Sequence, residues 1–266
     1  MSKQAKTIAI VNQKGGVGKT TTTINLAAAL SLRGKSVLIV DIDPQGNAST
    51  GLGVDRSQRE KTIYDILVDG IALEDVVLGT TVPGLSLIPS HVDLAAAELE
   101  IGQVSGRTTR LREALSRSSK KWDYILIDCP PSLNLLTVNA LAAANSVIVP
   151  LQCEFYALEG LSQLLQTVEM AKANINPALI IEGVMLTMYD KRNRLSSQVA
   201  ADVRKHLGRA VFETVIPRNV RIAEAPSFAK PVMMYDPSCA GSDAYLALAD
   251  EILHRHTRRR VNEETL

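Results

Sequence analysis

One segment, Gln13-Lys14-Gly15-Gly16-Val17-Gly18-Lys19-Thr20-Thr21, constrains this chain more than any other because of what flanks it. The apolar run Thr7-Ile8-Ala9-Ile10-Val11 precedes it and reads as a buried strand; residues 22–33 follow with helical patterning. Strand, glycine-rich turn and helix in that order form a cradle for phosphate. Backbone N–H groups from Gly15 to Thr20 can converge on phosphate oxygens only where side chains leave room, and the helix N-terminus adds positive charge there. In this cradle Lys19 sits against the β- and γ-phosphates, Thr20 turns its hydroxyl toward Mg²⁺, and Val17 and Thr21 complete the loop. The strict pattern G-x-x-x-x-G-K-[ST] fails at its first glycine, where Gln13 stands. In its place Lys14 precedes a glycine pair, so two lysines flank one loop.

The rest of the chain alternates between short β-branched runs and helical patterns. Strands are expected over 7–12, 36–41, 85–89, 124–128, 146–151, 178–188 and 211–216, and helices over 22–33, 108–118, 133–144, 157–174, 195–207 and 244–255. Several strands are apolar at consecutive positions, as a parallel sheet covered on both faces requires. The pattern predicts an α/β fold: a doubly wound, mostly parallel sheet flanked by helices. Residues 1–256 read as one domain and 257–266 as a flexible polar tail; residues 46–83 read as loop and short helices. A net charge of +1 gives no bulk attraction to nucleic acid, so any such binding must come from local patches. Three cysteines, Cys129, Cys153 and Cys239, show no metal or disulfide spacing, and no apolar run reaches the ~20 residues of a membrane span. A cytoplasmic protein is expected.

Two acidic motifs fall at strand ends. Asp41-Ile42-Asp43-Pro44-Gln45-Gly46-Asn47 closes the second strand, where ligands bind in open α/β sheets. Two residues apart in an extended chain, Asp41 and Asp43 face one side, and Pro44 ends the strand. A carboxylate near a γ-phosphate can hold Mg²⁺ through water or orient the attacking water. Tyr124-Ile125-Leu126-Ile127-Asp128 is an apolar strand ending in an acid, the Walker-B pattern, which directs Asp128 to Mg²⁺ or its water.

Taken together, Lys14-Gly15-Gly16-Val17-Gly18-Lys19-Thr20-Thr21, Asp41-Ile42-Asp43-Pro44-Gln45-Gly46-Asn47, Asp128-Cys129-Pro130-Pro131-Ser132 and Val215-Ile216-Pro217-Arg218-Asn219-Val220 resemble the deviant Walker-A ATPases, and within them the ParA/Soj partition proteins. The resemblance runs from about Lys6 to the last helix. It implies a P-loop ATPase that uses ATP and Mg²⁺ and forms a homodimer around two nucleotides. By the same resemblance Lys14 reaches the partner's phosphates, Asp43 positions the hydrolytic water, Thr20, Asp43 and Asp128 support Mg²⁺, and Pro217 and Asn219 lie against adenine. It further implies weak intrinsic hydrolysis stimulated by a ParB-type centromere-binding partner, and non-specific binding to double-stranded DNA on the nucleoid.

Candidate DNA contacts are Lys191, Arg192, Arg194, Arg218, Arg221 and Lys230, because phosphate-backbone binding needs clustered cations. Rival readings stay open. A MinD-like ATPase would end in an amphipathic membrane helix, and residues 252–261 hold too few large apolar residues for one. An electron-transfer ATPase like the nitrogenase iron protein would need two cysteines sharing a cluster across the dimer. A binding module with a dead nucleotide site would lack some of Lys14, Lys19, Thr20, Asp43 and Asp128, all of which are present.

Overall fold

Hydrophobic residues alternate between two buried layers along each central strand, and this alternation builds the molecule. The computed structural model describes residues 5–102, 106–155 and 157–264, the last six of these by backbone alone. Its strands are β1 (Lys6–Ile10), β2 (Val37–Asp41), β3 (Leu78–Gly79), β4 (Leu85–Ile88), β5 (Tyr124–Asp128), β6 (Ser146–Gln152) and β7 (Ile180–Thr187). They form one sheet in the order β3-β4-β2-β5-β1-β6-β7, parallel except for β3. Ala9, Val40, Ile127 and Val149 belong to one apolar layer; Ile8, Ile39, Leu126 and Ile148 belong to the other. Both faces must therefore be covered, and helices on each side do so.

The helix Lys19–Leu32 is buried nearly all round, with Ile24 and the run Leu26 to Leu30 in the core. It is sandwiched between the sheet and the C-terminal helix Ala240–Glu264. Burying each large aliphatic side chain contributes about 1.5–3 kcal/mol, so this central helix holds its first turn, which carries the phosphate loop, in a fixed place. Helices Leu135–Ala143 and Arg194–Leu207 start at asparagine caps, where Asn134 accepts from the Thr137 N–H and Asn193 from the Leu195 N–H.

Three expectations change. Residues 211–216 are not a strand: the segment meets β7 through an isolated bridge at Val211, with a second at Pro217 just beyond it, and the Phe212 and Ile216 N–H groups donate to the Val184 and Leu186 carbonyls. Its Glu213 and Thr214 N–H groups donate instead to the Glu251 carboxylate of the C-terminal helix, each at 3.0 Å. The last helix starts at Ala240 and continues to Glu264, past the expected end at Arg255, while the tail's side chains from Arg259 onward lie outside the described residues. A helix Leu94–Ile101 and the two-residue β3 also form. Among the described residues no helix is long and apolar enough to cross a membrane.

Candidate active site

The loop between β1 and the helix Lys19–Leu32 bends through two left-handed glycines, Gly16 with φ 75° and Gly18 with φ 92°. Any other residue would be strained there, which explains the glycine spacing. Side chains distant in sequence tie the loop down. Asn12 donates its Nδ2 to the Pro150 carbonyl at 2.7 Å and accepts from the Lys14 N–H at 2.9 Å. The Thr187 hydroxyl donates to the Val17 carbonyl at 2.9 Å. Neither residue stood out in the sequence, although Asn12 directly precedes the loop.

Two lysines occupy different environments. Lys19 is buried, and its ammonium donates to the Lys14 carbonyl at 2.9 Å. Burial pulls its pKa down, opposed by the charges of Asp128, Cys129 and Asp43. Lys14 is half exposed and pairs with Glu154 at the end of β6, a partner that sequence reasoning missed.

Across the loop, β2 and β5 are adjacent, and Asp41 and Asp128 stand opposite each other at their tips. Both are fully buried. Burial pushes both carboxyls up, Asp41 to about 6 and Asp128 to about 8, Asp128 further because Asp41 faces it. Asp41 is structural: its carboxylate accepts from the Ser49 N–H at 2.9 Å, the Ser49 hydroxyl at 2.7 Å and the Asp43 N–H at 3.3 Å. It thereby fixes the loop that carries Asp43. Asp43, also buried, lies beyond the strand end and accepts from the Gln45 N–H at 2.9 Å, so the two acids do not share one extended face. Beneath this loop the buried Arg59 guanidinium donates to the carbonyls of Val54 and Ser90 and to Thr50. A Cβ on Gly46 would fall 2.9 Å from the Ser90 carbonyl, so only glycine passes there.

One oxygen of Asp128 accepts from the Thr23 hydroxyl at 3.0 Å, and the nearby Thr20 and Thr23 side chains partly offset the carboxyl's upward shift. Its other oxygen is buried without a partner among the described residues. An orphaned carboxylate oxygen beside a buried lysine fits a divalent cation or the water that a cation holds. The described residues hold no group of three or more His, Cys, Asp or Glu arranged for a metal, so phosphate and water would have to complete the shell.

Beside Gly18 and Thr21, Pro217 and Asn219 line a mainly apolar cavity of about 230 Å³ together with Ile216 and Tyr245. Met188, at its edge, is held at φ 51°, a left-handed conformation unusual for its type. The candidate DNA contacts divide. Arg192 pairs with Asp190, and Arg221 pairs with Glu224 and Asp236. Lys191, Arg194, Arg218 and Lys230 are exposed. Cys129 and Cys153 are buried, and burial raises both thiols, so they offer no exposed pair for a shared cluster.

A mostly parallel sheet with an acid at the tip of its central strand and a phosphate loop after the neighbouring one defines a P-loop ATPase domain. The AAA_31 family model, an AAA domain, matches residues 5–181. Chromosome partitioning protein ParA of Caulobacter vibrioides is 57% identical over 258 residues, which cover 96% of this chain and 97% of that one. Sporulation initiation inhibitor protein Soj of Bacillus subtilis is 54% identical over 247 residues, covering 93% and 98%. Among solved structures, septum site-determining protein MinD of Pyrococcus horikoshii complexed with Mg-ADP matches with TM-score 0.79 and 29% identity over 94% of this chain and 96% of that one. Cobyrinic acid a,c-diamide synthase of Mycobacterium smegmatis, with bound ADP and magnesium, matches with TM-score 0.84 and 35% identity over 96% of each chain. The chain belongs to the ParA/Soj family of chromosome-partitioning ATPases.

Proposed function

We propose that this protein is a nucleotide-driven partition switch that binds ATP with Mg²⁺, pairs with a second copy, grips duplex DNA non-specifically and lets go on hydrolysis. The observation that carries the reading is the gathering of Lys19, Asp43 and the unpartnered oxygen of Asp128 around one glycine loop. Solved relatives with bound ADP or ATP analogue and magnesium support the cofactor assignment.

Lys19 and the loop N–H groups bind and orient the phosphates, while Thr20, Asp43 and Asp128 hold Mg²⁺. When bound, the cation neutralises phosphate charge. Asp43, its backbone steadied by Asp41 and Ser49, orients water toward the γ-phosphate and takes up its proton. Pro217 and Asn219 receive the base in the apolar cavity. Lys14, released from Glu154, neutralises phosphate charge on the nucleotide of the second copy. Hydrolysis alone is slow, and a ParB-type partner accelerates it. The exposed cations Lys191, Arg194, Arg218 and Lys230, with Arg192 and Arg221, meet DNA phosphates, and the protein works in the cytoplasm on the nucleoid.

The test is binding to random-sequence duplex DNA with ATP, ADP or no nucleotide over a range of salt, with liposomes in parallel. ATP-dependent, salt-sensitive DNA binding without liposome binding is the expected result. Liposome binding with ATP and no DNA binding in any state would replace the partition switch by a membrane-surface ATPase.

A further inference from the structure

At the end of the sheet opposite the phosphate loop, a cavity of about 370 Å³ opens where β1 and β5 begin. The helix Arg110–Arg117 closes one side and Asn145, just before β6, another. Among the described residues its wall carries three exposed cations, Arg112, Lys120 and Lys121, and no carboxylate. Lys121 reaches only the Ser118 carbonyl, at 3.3 Å, and Lys120 lies over the ring of Trp122, 5.4 Å from its centroid. Cations gathered without counter-charge repel one another, and such clusters are relieved by an anion.

The loop that presents the two lysines is fixed from outside the cavity. One oxygen of Glu74 accepts from the Ser118 hydroxyl at 2.7 Å, the Ser119 N–H at 2.7 Å and the Ser119 hydroxyl at 3.1 Å. A frame held this way loses little conformational freedom when something binds to it. Trp122, 4% exposed, lines the same cavity and carries the Lys120 ammonium over its ring, so a ligand that draws Lys120 away alters the indole's surroundings.

We propose that this cavity is a binding site for a small polyanion, one bearing two or more phosphate or carboxylate groups. Arg112 and Lys121 take its charged oxygens, and Lys120 moves from the indole ring to join them. The cavity lies at the small end of the ~300–1,000 Å³ range of ligand pockets, so the ligand is a metabolite and not a chain.

Trp122 is the single tryptophan of the chain, so its fluorescence reads this site alone. The experiment titrates inorganic pyrophosphate and, separately, citrate into the full-length Lys19→Ala variant, whose phosphate loop is disabled. A saturable change in emission is expected from at least one probe, and which probe answers distinguishes phosphate from carboxylate chemistry. Arg112→Ala and Lys121→Ala, added singly, should each weaken it about tenfold, the effect of losing one charge-assisted hydrogen bond. In the otherwise wild-type chain the same two changes should leave ATP hydrolysis unaltered. Calorimetric titration of the same proteins guards against a silent fluorophore. No binding of either probe by either method would overturn the proposal, as would binding indifferent to both substitutions. A response to short duplex DNA but to neither small anion would make these cations a nucleic-acid surface and would equally overturn it.

Discussion

Replacing Asp128 by asparagine should make the nucleotide-free protein more stable while destroying its enzymatic use. The carboxyl is buried, faces Asp41 and has one oxygen without a partner, and burial lifts its pKa to about 8. An acid raised in the folded state favours folding only while protonated. Its contribution is therefore complete below its ordinary unfolded value of about 4 and is lost as pH climbs through about 8. With about 1.4 kcal/mol per pH unit for one proton, the penalty at pH 7 comes to about 4 kcal/mol, and about 3 kcal/mol of it builds up between pH 5 and pH 7. Asparagine keeps the shape and an oxygen for Thr23 but carries no charge. Urea denaturation of wild type and Asp128→Asn at half-unit steps from pH 5 to 8, without nucleotide or magnesium, measures the difference directly. The curves should nearly meet at pH 5 and diverge upward, the variant leading by roughly 2–4 kcal/mol at pH 7.5. Because Asp41 and Asp128 face each other, the variant also relieves Asp41, which adds to the difference in the same direction. Parallel pH profiles, or a variant less stable at pH 7.5, would refute the idea that burial holds this carboxyl's pKa up at the strand tip. Magnesium-dependent ATP hydrolysis should vanish in the variant, the exchange of stability for function that active sites show.

Asp43→Ala should leave ATP binding within about threefold of wild type and remove hydrolysis, because the residue orients water and does not hold the base; normal turnover would take Asp43 out of the mechanism. Gly183→Ala should cost about 1–3 kcal/mol in denaturant unfolding by overpacking, since the new Cβ would lie 2.6 Å from the Phe212 ring. Arg194→Glu should weaken duplex binding and flatten its salt dependence while DNA-free hydrolysis is unchanged; unaltered affinity would move the DNA surface elsewhere. A thiol reagent should label native protein at Cys239 alone, because Cys129 and Cys153 are buried and their thiols are raised.

What the sequence made legible is what local pattern encodes. A parallel strand covered on both faces is an unbroken apolar run, so β1, β2, β5 and β6 could be located to within two residues. The phosphate loop and Asp128 were readable because glycine spacing and a strand-ending acid are contiguous signals. The supports of the site were not. Asn12 meets Pro150, Lys14 meets Glu154 and Thr187 meets Val17, each across more than a hundred residues, and Arg59 meets Ser90 across a stretch that holds β3 and β4. Residues 211–216 misled for the opposite reason. Val211 and Phe212 have the composition of a strand, yet a carboxylate on a distant helix captures the N–H groups that a ladder would use. The brief β3 fell below the length at which alternation can be seen.

That capture has a consequence for how the molecule keeps to itself. β7 ends the sheet on one side, and a terminal strand with free N–H groups invites another chain to add on. Here Phe212 and Ile216 donate to β7 carbonyls, while Glu251 occupies the N–H groups of Glu213 and Thr214 between them, and Pro217 has none to offer. The segment thus behaves as a hem: it closes the fabric's edge without presenting a new one. Under the proposed pairing of two copies, this keeps the β7 edge from offering a second route of assembly.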